Sequence, residues 1–177
     1  MSLSKTLLAA TLFATGGFAL SASAATTTAT FQVQIVIQKA CSVTAGTASN
    51  INLGTVASTA TNVTGTNNIS VTCSKTTPYY IGLAPSAANG GTTTGSGAMS
   101  TSDALPGNTD KVPYQLSSTP GPSGTIWGNT ATSTTVGNGV AGTGSGLAQS
   151  IPVYATTASA NFTPDSYADT VTVNVNF

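Results

Sequence analysis

The chain contains very little charge. Its 177 residues include 4 lysine or arginine residues, 4 aspartate or glutamate residues and no histidine. Every cation is a lysine and every anion an aspartate, so arginine and glutamate are also absent. The usual catalytic bases and oxyanion partners are therefore missing, and no basic patch is available for nucleic acid. We expect neither an enzyme nor a nucleic-acid-binding protein.

The first 24 residues have the features of a signal peptide. Lys5 provides a positive start, residues 7–20 are largely apolar, and Ala22-Ser23-Ala24 matches a cleavage site. The apolar stretch is too short, and too interrupted by glycine and threonine, to span a membrane. We expect cleavage after Ala24, export of the remaining 153 residues (177 − 24), and no membrane span.

Cysteine is scarce as well. Cys41 and Cys73 are the 2 cysteines of the chain, and both follow the predicted export signal. In an oxidising compartment such a pair is expected to form a disulfide. Two cysteines without any histidine cannot make an ordinary zinc site, so we predict no metal and no cofactor.

Threonine, serine, asparagine, glycine and valine are abundant, and the threonine and valine favour strands over helices. Runs of alternating apolar and polar residues are separated by turn residues, and no twelve-residue window has a helical period. Segments 87–97 and 137–146 are predicted loops. One all-β sandwich domain is predicted. Its strands are expected at 31–43, 50–56, 68–73, 79–84, 111–117, 125–127, 147–156 and 167–177.

Two of the alternating runs lie near the ends of the sequence. The first has four apolar residues on one face: Phe31, Val33, Ile35 and Ile37. The last has another four on one face: Val171, Val173, Val175 and Phe177. Each run is typical of a half-buried strand. The first run is either an ordinary strand of its own domain or a strand donated to a neighbouring subunit, and the pattern leaves both possibilities open.

A series of short motifs resembles the spore coat protein U domain family, the subunit fold of archaic chaperone–usher pili. Within that family the chain is most similar to the major subunit of Csu-type pili. The motifs occur in this order: Ala40-Cys41-Ser42-Val43, Ile51-Asn52-Leu53-Gly54, Val71-Thr72-Cys73, Thr77-Pro78-Tyr79, Val112-Pro113-Tyr114-Gln115-Leu116, Ile126-Trp127-Gly128, Ile151-Pro152-Val153-Tyr154 and Ser166-Tyr167-Ala168-Asp169-Thr170-Val171-Thr172-Val173.

The resemblance implies an incomplete immunoglobulin-like sandwich, completed by a donor strand from a neighbouring subunit. It places the donor segment at about residues 25–37 and the pilin domain at residues 38–177. The four apolar residues of the last strand would border a groove. A periplasmic chaperone would occupy this groove first and hold the terminal carboxylate through basic residues.

The implied function is that of a structural subunit of an adhesive surface pilus, which supports attachment and biofilm formation. The implied partners are identical or related pilin subunits, the periplasmic chaperone and an outer-membrane usher. The implied location is the cell surface, reached through the periplasm.

Two other functions remain open at this stage. A self-contained secreted coat or surface protein of the same fold would need no neighbouring strand. A lectin-like module would need an aromatic sugar platform, although aromatic residues within strands more often fill a core. The candidate platform residues are Tyr79, Tyr80, Tyr114, Trp127 and Tyr154.

The aspartates are expected to have structural roles. Asp103 and Asp110 lie in a polar loop near Pro106-Gly107, where solvated turn residues are common. Asp169, in the motif Tyr-x-Asp-Thr, is predicted to be a hydrogen-bonding group at a strand corner.

Overall fold

The computed structural model describes residues 25–101, 105 and 107–177. The predicted signal peptide and Asp103 lie outside this part of the chain. The chain divides into two units between Val36 and Ile37.

Residues 25–36 of the first unit have exposed side chains and no assigned strand or helix. The side-chain amide of Gln34 donates to the side-chain oxygen of Gln32, which places both on the same side of the backbone, as an extended chain does. The strand predicted at 31–43 is assigned only at Cys41–Thr44. An extended segment without a partner has no ladder of hydrogen bonds, so alternation alone does not make it a strand.

The described residues of the second unit form nine strands. They are β1 (Cys41–Thr44), β2 (Thr61–Cys73), β3 (Pro78–Pro85), β4 (Ser96–Thr101), β5 (Lys111–Ser117), β6 (Val140–Thr143), β7 (Ala148–Ser159), β8 (Tyr167–Ala168) and β9 (Val171–Asn176). Two short 3-10 turns, Thr47–Ser49 and Ala87–Asn89, are the only helical elements among the described residues.

The strands form two antiparallel sheets. The larger sheet has the order β1-β2-β7-β5-β4-β8, and the smaller has the order β6-β3-β9. Strands β2 and β7 form the longest pairing, from Thr61 opposite Ser159 to Thr72 opposite Ala148. This all-β, two-sheet architecture confirms the predicted fold class and is consistent with an immunoglobulin-like domain.

The core lies between the inner faces of the two sheets. Alternate residues of each strand point inward, so the core draws on every second position. Trp127, from the connection between β5 and β6, is fully buried, and its indole N–H donates to the Ile81 carbonyl at 2.8 Å. The other buried core residues are Ile69, Val71, Cys73, Tyr114, Leu116, Val153 and Ala155 from the larger sheet and Tyr79, Ile81 and Leu83 from the smaller.

Two strands occur where the sequence predicts loops. Strand β4 begins inside the predicted loop 87–97, and β6 lies inside the predicted loop 137–146. Their glycines give the neighbouring rings room: a Cβ on Gly97 would lie 2.8 Å from the Tyr114 ring, and one on Gly142 would collide with the Tyr79 ring. Glycine here serves close packing inside a sheet, which a sequence pattern does not distinguish from a turn.

The strand predicted at 50–56 is wrong, because this segment has no assigned strand. It lies across β2, where a Cβ on Gly65 would be 2.8 Å from the Ile51 side chain and 3.0 Å from the Leu53 side chain. The side-chain amide of Asn67 donates to the carbonyls of Ala48 and Asn50. The segment therefore contacts the sheet through side chains. The strand predicted at 125–127 is reduced to a single bridge between Ile126 and Ser117.

The disulfide between Cys41 and Cys73 is confirmed. The two residues lie directly opposite each other in the β1–β2 pair. The bond therefore fixes β1, at the edge of the larger sheet, to a central strand.

Replacing both cysteines with serine should lower the free energy of unfolding by about 3–4 kcal/mol. The disulfide joins residues 32 positions apart, and without it the unfolded chain gains conformational entropy. Urea unfolding followed by the fluorescence of the single tryptophan would measure the change. Reduced wild-type protein should unfold at the same urea concentration as the double variant. Equal midpoints for the variant and the oxidised wild type would contradict the prediction.

Candidate functional site: an open groove beside β9

One edge of the smaller sheet is open. Strand β9 pairs with β3 along one side, with Leu83 opposite Val173 and Ile81 opposite Val175. Among the described strands, none pairs with its other side. A strand edge of this kind leaves backbone N–H and C=O groups available to another chain.

A groove with a cavity of about 460 Å³ lies beside this edge. One rim is formed by residues 45–53, which follow β1, and the other by Val171 and Val173 of β9. The groove reaches into the core, because the larger sheet contributes its inward-facing side chains. These are Ile69, Met99, Tyr114, Leu116, Val153 and Ala155.

A second cavity, of about 710 Å³, adjoins the first. Leu53, Met99 and Tyr167 line both cavities, so the two lie side by side. The rest of the second cavity is lined mainly by residues 54–58 and 160–166. The opening thus extends beyond β9 toward the loop before β8.

A partly buried hydrogen-bond network supports the groove wall. The hydroxyl of Tyr114 donates to one carboxylate oxygen of Asp169 at 2.7 Å, and the side-chain amide of Asn89 donates to the other at 2.8 Å. Asp169 lies in the turn between β8 and β9, so the network fixes this turn to β5. The corner role predicted for Asp169 is confirmed.

The same network shifts the ionisation of the tyrosine. The pKa of Tyr114 is raised far above its usual value, mainly because the side chain is buried. The hydrogen bond to Asp169 and the negative charge of Asp169 raise this pKa further. The raised pKa favours the neutral form of Tyr114, in which its hydroxyl donates to Asp169.

The other described aspartates connect two loops at the far end of the groove. Asp110 accepts hydrogen bonds from the backbone N–H and the hydroxyl of Thr163, and both lower its pKa. Asp165 accepts a hydrogen bond from the side-chain amide of Asn108, and this bond is the main reason that the pKa of Asp165 is lowered. These contacts tie the loop before β5 to the loop before β8. They are structural interactions of the kind expected for turn residues.

The predicted donor residues are strongly exposed. Phe31 and Val33 are each 88% exposed, and Ile35 and Ile37 are each 83% exposed. The predicted residues of the last strand have a different environment. Val171, Val173 and Val175 are partly buried against the core, and Phe177 is 43% exposed. The first two of these valines line the groove, and their assignment as an acceptor site stays a prediction.

The five candidate aromatic residues do not form one surface. Tyr79, Tyr114 and Trp127 are buried in the core. Tyr80 and Tyr154 are half-buried and lie in different sheets. The arrangement provides core packing and no continuous aromatic platform.

Sequence reasoning missed most of the groove wall. The inward-facing residues of the larger sheet were visible as apolar positions in strands, but only the sheet order places them beneath one opening. The rim residues Ile51 and Leu53 carried an apolar alternation that suggested a strand. No sequence pattern predicts the hydrogen bond between Tyr114 and Asp169, because 55 residues separate them.

These features define an all-β, immunoglobulin-like sandwich domain with an open apolar groove at one sheet edge. The Spore Coat Protein U domain model matches residues 27–174, and the chain belongs to this family. No curated protein matches it with significance.

Among solved structures, this chain is similar to one chain in the crystal structure of the CsuC–CsuE chaperone–tip adhesion subunit pre-assembly complex. That complex comes from the archaic chaperone–usher Csu pili of Acinetobacter baumannii. The two chains share 18% sequence identity with a TM-score of 0.49. The match covers 80% of this chain and 40% of the matched chain.

In the described part of the chain, no helix has the length and apolar character required to cross a bilayer.

Replacing Tyr114 with phenylalanine should destabilise the domain by about 1.5–3 kcal/mol at neutral pH, because a partly buried hydrogen bond to a charged carboxylate is lost. Above about pH 10 the wild type should also lose stability, since tyrosine ionises in the unfolded chain while buried Tyr114 does not. The raised folded-state pKa thus gives stability that is present below pH 10 and lost as pH rises. Urea unfolding at neutral and alkaline pH measures both effects.

The matched control is Tyr154→Phe, which removes a hydroxyl from a half-buried tyrosine outside this network. It should leave the neutral-pH stability nearly unchanged. Equal stabilities of the two phenylalanine variants would show that the Tyr114–Asp169 bond does not support the domain.

Proposed function

We propose that this protein is a structural subunit of a surface pilus, assembled by donor-strand exchange. In this proposal residues 25–37 of one subunit fill the groove beside β9 of the next. A periplasmic chaperone occupies the groove before assembly, and an outer-membrane usher exports the growing fibre. Attachment and biofilm formation are properties of the resulting fibre.

One observation carries the proposal. The same chain has an exposed alternating apolar segment and an open apolar groove at a free strand edge. Five large apolar side chains within residues 31–37 are 83–88% exposed. A run of this kind on a soluble protein marks an interaction site. A strand that adds to a sheet edge gains backbone hydrogen bonds from the edge and specificity from its alternate side chains.

The dimensions of the two parts agree. Residues 31–37 in extended form span about 20 Å, and β9 with its six residues spans about 17 Å. Full burial of four apolar side chains would contribute on the order of 6–12 kcal/mol before the cost of ordering the segment. A contact of this strength suits a fibre that persists outside the cell.

The structural features also weigh against the other candidate functions. A self-contained coat protein would leave the groove open to water, with partly buried valines of β9 on its rim. The buried positions of Tyr79, Tyr114 and Trp127 weaken the lectin-like alternative.

The described aspartates are engaged in hydrogen bonds that hold loops and turns together. We infer that the function is structural rather than catalytic.

A pair of adjacent substitutions tests the proposal. Ile35→Asp places a charge on the face that would enter the groove, and Val36→Asp places the same charge on the opposite face. Ile35→Asp should abolish assembly because burying an unpaired carboxylate is prohibitive, while Val36→Asp should assemble. Electron microscopy and SDS-resistant ladders of exported full-length protein would measure assembly.

Equal assembly of both variants would contradict a specific inward-facing register. Absence of any polymer from the wild type, when it is exported together with a cognate chaperone and usher, would reject the pilus function.

A further inference from the structure

The two alternating runs near the ends of the sequence each have one charged residue beside the apolar face. At every second position the first run reads Phe31, Val33, Ile35, Ile37 and Lys39. At the same spacing the last run reads Asp169, Val171, Val173, Val175 and Phe177. Read in opposite directions, the two runs correspond position for position, with the lysine opposite the aspartate. The chain has only 4 basic and 4 acidic residues among 177, so such a match seldom arises by chance.

The backbone of β9 turns these same positions toward its free edge. Leu83 of β3 lies opposite Val173, but its N–H donates to the Gly128 carbonyl at 2.9 Å, so this pair is not hydrogen-bonded. In such a pair both residues turn their backbone groups away from each other. The N–H and C=O of Val173 therefore point to the free edge. Because the direction alternates along a strand, those of Val171 and Val175 do the same.

These positions define a register for an inserted strand. Opposite residues of an antiparallel pair lie on the same face of the sheet, so the apolar face of the donor segment must lie opposite the three valines of β9. Full overlap of the two apolar faces places Ile35 opposite Val173 and Lys39 opposite Asp169. All the strand pairs of the described residues are antiparallel. A parallel strand with the same overlap would instead carry Lys39 past the carboxyl end of Phe177.

Asp169 is placed to receive a cation at the groove. Its side chain is half-buried and lines the groove wall. The hydrogen bonds from the Tyr114 hydroxyl and the Asn89 amide come from neutral groups, so they leave its negative charge in place. Lys111 of β5 donates to the Ala88 carbonyl at 3.0 Å. A half-buried carboxylate gains from a nearby cation, because salt and water screen it less than a surface charge.

Lys39 is suited to supply that cation. Its side chain is exposed, and it follows the apolar run on the face that would enter a groove. Directly opposite residues on paired strands have Cβ atoms about 5 Å apart, and the flexible four-carbon stem of lysine reaches a carboxylate across this distance. A lysine on the inner face of an inserted strand would be unfavourable without an anion. The inner end of the groove provides one in Asp169.

We propose that Lys39 of the inserted segment forms an ion pair with Asp169 of the accepting subunit, and that this pair fixes the register of the donor strand. The inference rests on the proposed function, and the occupant of the groove is a second copy of this chain. The apolar face alone would permit a shift by two residues, since three of its four side chains would still lie opposite apolar partners. A charge pair at one end selects a single register.

Fibres of full-length protein carrying Lys39→Gln test the pair. They should release subunits in urea about three- to tenfold faster than wild-type fibres, because loss of a partly buried charge pair acts mainly on dissociation. The difference should shrink in about 1 M salt, which screens charges. Asp169→Asn keeps a side-chain oxygen for the Tyr114 hydroxyl and completes a double-mutant cycle. In that background, Lys39→Gln should have little further effect.

The matched control exchanges two neighbours. Gln38→Lys combined with Lys39→Gln keeps the composition and the net charge, and moves the cation to the opposite face of the strand. These fibres should dissociate as fast as those with Lys39→Gln alone. Dissociation of the combined variant at the wild-type rate, or equal rates for Lys39→Gln and wild-type fibres, overturns the pair and leaves donor-strand exchange intact.

Zero-length carbodiimide cross-linking provides a measurement on the unchanged sequence. In wild-type fibres it should join Lys39 of one subunit to Asp169 of the next, as identified by mass spectrometry after pepsin digestion. The unassembled Ile35→Asp chain should give no such product. A product between Lys39 and the terminal carboxylate of Phe177 would show parallel insertion and overturn the register. A wild-type chain that forms no fibre overturns the pilus function and this pair together.

Discussion

The free edge of β9 is the constraint on which the account depends. A sheet of three strands, β6-β3-β9, faces a sheet of six, so the smaller sheet cannot cover all the inward-facing side chains of the larger one. The groove lies at the uncovered edge and reaches into the core, where the buried side chains of Ile69, Leu116 and Val153 form its inner wall. An apolar surface and an unpaired strand edge at the same place favour one kind of occupant, an extended segment with alternating apolar side chains.

The surrounding structure holds this opening in a fixed form. The disulfide attaches β1 to β2, and the Tyr114–Asp169 hydrogen bond attaches the turn before β9 to β5. Trp127 fills the centre of the core and binds the Ile81 carbonyl in β3, the strand that pairs with β9. A groove whose walls are fixed in advance loses little conformational entropy when a strand enters, which favours tight binding.

The sequence predicted the fold class, the disulfide and the corner role of Asp169, because each depends on local patterns or on composition. Strand boundaries were less predictable where glycine was involved: Gly97 and Gly142 appear in sequence as loop residues, although they are strand positions beneath the rings of Tyr114 and Tyr79. The segment with Ile51 and Leu53 has the alternation of a strand, yet it lies across β2 by side-chain contacts. The groove itself could not be derived from local pattern, since its walls come from strands that are distant in sequence and adjacent only through the sheet order.

The most direct measurement of the central claim is the thermal unfolding of oxidised residues 38–177, with and without a synthetic peptide of residues 25–37. If the groove is an unfilled strand position, the peptide should convert a weak or broad transition into a cooperative one at a much higher temperature. A domain that unfolds cooperatively at high temperature alone, and does not respond to the peptide, would contradict the account.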